Sequence, residues 1–163
     1  MKTLLIIRHA KSDQSFFRND FERPLNERGK QDAPVIAKRL IDKNIGIDAF
    51  VASPAKRAKK TAELFCETYK GNAENIFFIS ALYNAPANVF YEVIKQLNDT
   101  FNTVAIFAHN PGITYFANLL VNDFRIDNMP TCAVFAVQIS VSHWKDFAKA
   151  KKEFLFFDYP KNI

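Results

Sequence analysis

Residues 4–13 read LLIIRHAKSD. The apolar residues Leu4 to Ile7 run directly into Arg8 and His9. A short apolar run rich in branched side chains is the pattern of a buried strand, here spanning Thr3–Ile7. Such a strand ends by presenting a guanidinium and an imidazole at its carboxyl end. That placement has meaning only if the rest of the chain builds a sheet around it.

The rest of the chain alternates strands with helices. Asn26-Glu27 is a capping signal for a helix running to about Lys43, with Ile36, Leu40 and Ile41 on its inner stripe. Pro34 predicts either a kink in that helix or a later start capped by Asp32. Ile47–Ala52 reads as a second strand. Ser53-Pro54 then predicts a helix start, with a hydroxyl N-cap and proline in the first helical position. Ala58, Thr61, Ala62 and Phe65 recur at helical spacing. Ile76–Ile79 reads as a strand, Asn88–Leu97 as a helix and Thr103–Ala108 as a strand. His109-Asn110-Pro111-Gly112 leads into a helix ending near Val121. Ala133–Ser140 and Glu153–Tyr159 read as closing strands joined by a polar turn at Ser142-His143. Alternation of this kind predicts an α/β fold with a largely parallel sheet, helices on both faces and one antiparallel edge.

The chain has 163 residues, enough for one domain over 1–163 with a full core. Hydrophobic residues make up 48% and charged residues 24%, the balance of a soluble globular protein. A net charge of +5 favours anionic ligands. The N-terminal apolar run is too short for a signal peptide, and no run approaches the ~20 residues that span a bilayer. The expectation is a cytoplasmic protein with no membrane partner. Cys66 and Cys132 form no CxxC and read as buried free thiols. Lys56, Lys59, Lys60, Lys149, Lys151 and Lys152 are basic without an accompanying nucleic-acid motif, so they read as solvated charge rather than a nucleic-acid surface.

In open α/β sheets, ligands bind beyond the carboxyl ends of the strands. The first predicted strand ends in Arg8-His9, the second in Ser53 with Arg57 one helical turn on, and the fourth in His109-Asn110. Each group has a plainer reading alone: a strand end, a solvated helix arginine, a turn. Together they describe a site if the strands are neighbours. Two guanidiniums match a phosphoryl group, because each is planar, charged and donates in pairs. A helix N-terminus near Ser53 adds backbone donors. One histidine can attack phosphorus, and the other, if protonated, can stabilise the transferring charge. His143 reads as a surface-turn residue. No two histidines sit at metal-ligand spacing, so no metal is expected.

These motifs carry a resemblance. RHAKS at 8–12, SPAKRAKKTA at 53–62 and HNPGI at 109–113 resemble the histidine phosphatase (phosphoglycerate mutase-like) superfamily. RPLNERG at 23–29 resembles the segment leading into the first helix of its small bacterial branch, which includes SixA-type phosphohistidine phosphatases. The similarity runs from Met1 to about Val121. It implies a three-layer α/β/α sandwich and a hydrolase that works without metal or organic cofactor. It implies that His9 is the nucleophile, and that Arg8, Arg57 and His109 bind the phosphoryl oxygens. Ser53, Lys11, Ser12 and Asn110 are further candidates for substrate binding.

One departure bears on substrate. Many larger members place an acid after the third strand to protonate the leaving oxygen. Residues 81–90 here, ALYNAPANVF, contain no Asp or Glu, and Glu92 lies on the following helix. An alkoxide needs that proton, an effect of about 10²–10⁴-fold. An imidazole leaving from phosphorus needs less help. The expected substrate is therefore phosphohistidine displayed on a protein. A phosphomonoester of a small metabolite or nucleotide is the alternative, and a phosphate-binding module without turnover a second one. Asp20, Glu22 and Tyr83 are the remaining proton sources.

Overall fold

The computed structural model describes residues 1–163. Its strands are β1 (Lys2–Arg8), β2 (Ala49–Ala52), β3 (Ile76–Phe78), β4 (Thr103–Ala108), β5 (Val134–Ile139) and β6 (Lys152–Asp158). Its helices are α1 (Glu27–Asp42), α2 (Lys56–Thr68), α3 (Ala87–Lys95) and α4 (Gly112–Leu120). The strands form one sheet in the order β3-β2-β4-β1-β5-β6. The first four run parallel, and β5 and β6 are antiparallel to their neighbours. This is the predicted mixed sheet with its antiparallel edge.

The apolar run at the N-terminus explains why both faces are covered. Side chains alternate across a strand. Leu4 and Ile6 enter one core with Phe90 of α3 and Phe116 of α4. Leu5 and Ile7 enter the other with Ile36 and Leu40 of α1 and Phe65 of α2. All four strand residues are fully buried. Cys66 and Cys132 lie in the second core as free thiols. No helix is long and apolar enough to cross a membrane.

Three local expectations change. The helix α1 is continuous through Pro34 and starts at Asn26, whose side chain accepts the Gly29 N–H at 2.9 Å. Asp32 is not its cap but pairs with Arg28 at 2.9 Å. The proline removes one donor, while Ala33, Ile36, Ala37 and Leu40 hold the helix on the sheet. The α2 helix starts at Lys56, with Ala55 as a cap lacking a side-chain bond, so Ser53 and Pro54 precede it. The Ser53 hydroxyl accepts the Ala55 N–H at 3.2 Å, which braces the turn before the helix, and also bonds His109. Finally, β5 and β6 are joined by a 3-10 turn over Trp144–Lys149. Trp144 and Phe147, three residues apart, share one face of that turn and are both buried in the first core.

Candidate active site

The strand order makes neighbours of the three predicted strand ends. Arg8 is in register with Ala108, and Ala52 with Phe107. His9 N–H bonds the Ala108 carbonyl at 3.1 Å, and Ser53 N–H the Phe107 carbonyl at 3.0 Å. His9, His109 and Ser53 therefore leave the sheet side by side. The rings of His9 and His109 lie 5.2 Å apart. Both residues are buried, as are Ser53 and Arg57.

The histidines are held differently. His9 Nδ1 lies 2.7 Å from the Ala10 carbonyl, which can only accept, so Nδ1 carries the proton and Nε2 keeps its lone pair. The Ala10 N–H in turn bonds Thr61 Oγ1 at 3.0 Å, and that hydroxyl donates to the Arg57 carbonyl at 2.7 Å. Thr61 thus ties the end of β1 to α2. His109 Nε2 lies 2.8 Å from Ser53 Oγ. Burial pushes His9 well below the ordinary imidazole value, reinforced by His109, Arg57 and Arg8. Burial and then Arg57 lower His109 to about 3. The second imidazole is consequently neutral, contrary to the protonated form considered from sequence. Two guanidiniums beside a desolvated ring leave no room for a third cation.

The arginines are anchored by part of each guanidinium. Arg8 Nη1 donates to the Met129 carbonyl at 2.8 Å. Burial lowers Arg8 from its ordinary value, with Arg23 and Arg57 adding repulsion. Arg57 donates to the Asp20 carbonyl at 2.7 Å and to its Oδ2 at 3.0 Å. Three buried side-chain nitrogens in the whole chain lack a partner: Arg8 Nε, Arg57 Nε and His109 Nδ1. All three belong to residues picked from the strand ends. Buried orphans are rare, and here they are donors or ring nitrogens gathered beside His9.

Asp20 is the acidic residue of the site. It accepts from Arg57, from Arg23 at 3.1 Å and from the Tyr83 hydroxyl at 2.7 Å. The Tyr83 bond first, then Arg23 and Arg57, hold its carboxyl far below the usual range. The same bond pushes the Tyr83 phenol up. Tyr83 also stands edge-on to His109, ring centres 5.6 Å apart. Glu22 lines the groove beside the site rather than the site itself, and Glu92 pairs with Lys95 on the surface of α3.

The weaker candidates have other occupations. Lys11 is exposed and lines a different groove with Arg28, Asp32 and Lys161. Its backbone is fixed toward α1: the carbonyl accepts from Asn26 N–H at 3.0 Å, and a Cβ on Gly29 would lie 2.1 Å from that oxygen. The buried Ser12 hydroxyl accepts from Arg23 and Gln14. Asn110 donates to Asn128 at 2.9 Å and to the Met129 carbonyl at 3.1 Å, and accepts from Thr114 at 2.5 Å. These contacts brace the segment that carries Arg8's partner. His143 is exposed and bonds Asp99. No group of three or more His, Cys, Asp or Glu is placed to hold a metal ion.

Sequence reasoning did not find Arg23, Thr61, Thr114 or Met129. The first three are polar residues inside otherwise ordinary segments, and Met129 acts through its backbone. Arg23 opens RPLNERG and Thr61 lies on the periodic stripe of α2, but nothing local marks the partners that give them a place here.

Residues 4–76 match the model of the histidine phosphatase superfamily (branch 1). The chain has the histidine phosphatase fold. The protein histidine phosphatase SixA, solved with tungstate, superposes with a TM-score of 0.84 at 19% identity, covering 98% of each chain. The SixA protein of Agrobacterium tumefaciens gives 0.81 at 20% identity, again covering 98% of each. An uncharacterized protein of Mycobacterium tuberculosis is 24% identical over 164 residues, 95% of this chain and 100% of its own length. The resemblance drawn from RHAKS, SPAKRAKKTA and HNPGI thus extends to the whole phosphoglycerate mutase-like architecture, with SixA-like chains among its neighbours.

Proposed function

We propose that this protein is a phosphatase acting through a phosphohistidine on His9, with phosphohistidine on a protein as its substrate. The observation that carries the reading is the set of unpartnered buried nitrogens on Arg8, Arg57 and His109 beside the free lone pair of His9 Nε2. An incoming phosphoryl group supplies the acceptors those nitrogens lack. Its negative charge also raises the proton affinity of the neutral His109, so the ring can become cationic as charge builds on phosphorus.

In the first step His9 Nε2 attacks phosphorus, the new N–P bond forms and the substrate's P–N bond breaks. The departing imidazole keeps a proton on its second ring nitrogen. In the second step water attacks phospho-His9, releasing inorganic phosphate and restoring the imidazole. Arg8 and Arg57 hold the phosphoryl oxygens through both steps. The Ala10 carbonyl keeps the attacking tautomer in place.

The state of Asp20 supports a phosphoramidate over an ordinary ester. The carboxyl nearest the site is held ionised, and the Tyr83 proton is committed to it. Neither is a ready acid for an alkoxide, whereas imidazole leaves with less assistance.

Replacing His9 by Ala tests the reading. With phosphohistidine protein as substrate, the variant should keep its far-ultraviolet circular dichroism and lose turnover, and only the wild type should trap labelled phosphoryl. Undiminished turnover by the variant would refute the assignment. A panel that includes sugar phosphates and nucleotides decides the substrate class, and strong preference for one of these would replace phosphohistidine.

A further inference from the structure

A groove of about 580 Å³ opens between the segment that carries Asp20 and the outer face of α2. Its charged lining is Lys30, Lys56, Lys59 and Lys60, with Glu22 and Glu63. Four ammonium groups against two carboxylates leave it cationic. Lys56 and Lys60 make no ion pair, Lys59 lies over the Phe78 ring at 5.4 Å, and Lys30 is 3.4 Å from Glu27. Lysines sharing one groove repel one another, and neither Lys56 nor Lys60 is within ion-pair distance of the two carboxylates that share it.

The groove is joined to the phosphoryl site. Phe21 lines it and packs edge-on against Tyr83, whose ring faces His109. Lys56 precedes Arg57 on the same helix, and the Glu22 side of the groove begins two residues after the Asp20 that Arg57 binds. Lys56, Lys59, Lys60 and Glu63 sit at positions i, i+3, i+4 and i+7, so they form one stripe along α2. The three lysines span four residues of helix, a rise of about 6 Å, before Glu63 closes the stripe. A ligand that meets all three must carry negative charge along that length, about two residues of extended chain at ~3.3 Å each.

Building on the phosphohistidine reading, we infer that this stripe docks an acidic, extended segment of the protein that bears the phosphoryl group. The phosphohistidine enters beside His9 while flanking Asp or Glu side chains run along α2 and meet Lys56, Lys59 and Lys60. A small phosphomonoester carries its one charged group to His9 and has no further negative charge to offer the lysines. A nucleic-acid strand carries uninterrupted negative charge and would face Glu22 and Glu63, whereas a polypeptide can place a neutral or basic residue there.

The double variant Lys56→Glu/Lys60→Glu tests the groove without touching the phosphoryl site. Its kcat/KM on a phosphohistidine protein with acidic residues flanking the histidine should fall ~10-fold or more, with the change in KM. Its turnover of the small substrate phosphoramidate should stay within about twofold of wild type. Salt should weaken the wild type on the protein substrate and leave the variant little changed. An equal fall on both substrates, or no fall on either, would overturn the inference. Binding is read separately by fluorescence anisotropy of a labelled Glu-rich peptide on the His9→Ala protein, with and without the lysine substitutions. Peptide binding lost with the lysines supports the groove even if His9 proves not to be the nucleophile. Absence of peptide binding, or tighter binding of a single-stranded oligonucleotide, would overturn the docking assignment while leaving the His9 test intact.

Discussion

Replacing His109 by Gln should flatten the acid dependence of stability. His109 is buried, with 4% of its surface exposed, and is lowered from 6.5 to about 3 in the folded chain by burial and Arg57. Between those values the unfolded chain binds a proton that the folded chain excludes. Stability therefore rises with pH across this window and falls as pH drops below 6.5. From pH 7 to pH 5 the histidine alone removes about 2 kcal/mol, the slope approaching ~1.36 kcal/mol per pH unit below pH 6. Above pH 7 its slope fades. His9, lowered for the same reason, acts in the same direction in both proteins and cancels in the comparison. Glutamine keeps a polar group within reach of Ser53 and does not titrate. Urea unfolding of both proteins at pH 7 and pH 5 reads the effect. The wild type should lose about 2 kcal/mol more than the variant between these pH values. Equal losses would refute the claim that His109 is held neutral. The same cause implies that orthovanadate, as a bound anion, narrows the difference by restoring a counter-charge to the ring.

Two further outcomes follow from contacts around the site. At Gly112, a Cβ would lie 1.8 Å from the Ala85 carbonyl oxygen, so Gly112→Ala must push α4 away from the loop that carries Tyr83. The substitution should cost about 1–3 kcal/mol and lower turnover, as read by thermal melting and a phosphoramidate assay; an unchanged Tm would show that the loop yields freely. Asp20→Ala removes the carboxylate 3.0 Å from Arg57. The Tyr83 phenol should then return toward ~10 in an ultraviolet titration, and orthovanadate should bind severalfold more tightly. Unchanged vanadate affinity would mean that Asp20 does not compete for the guanidinium.

The four main candidate residues were legible because each has a local mark. Arg8 and His9 end an apolar run, His109 follows another, and Arg57 lies in the first turn of the helix after the second strand. The Ser53 hydroxyl was also visible, but its partner was not. A serine before a proline looks like a helix cap, and nothing local shows that its hydroxyl also meets the histidine just after β4, 56 residues away. Pro34 looked like a boundary for the opposite reason. The local penalty was plain, and the buried face that overrides it was not.

Periodicity and composition, which are properties of consecutive residues, determined the alternation of strands and helices and the chemistry at the strand ends. Only the sheet order, with β4 between β1 and β2, decided that these ends share one site. The tertiary structure also brought Asp20 onto Arg57, a pairing across 37 positions. It placed the Met129 carbonyl against Arg8 across 121. Such partners are selected by long-range packing, which brings together groups that no local pattern couples. The same is true of the histidines' charge: an imidazole ordinarily changes charge close to neutral pH, and burial beside two guanidiniums is what keeps both rings neutral well below it.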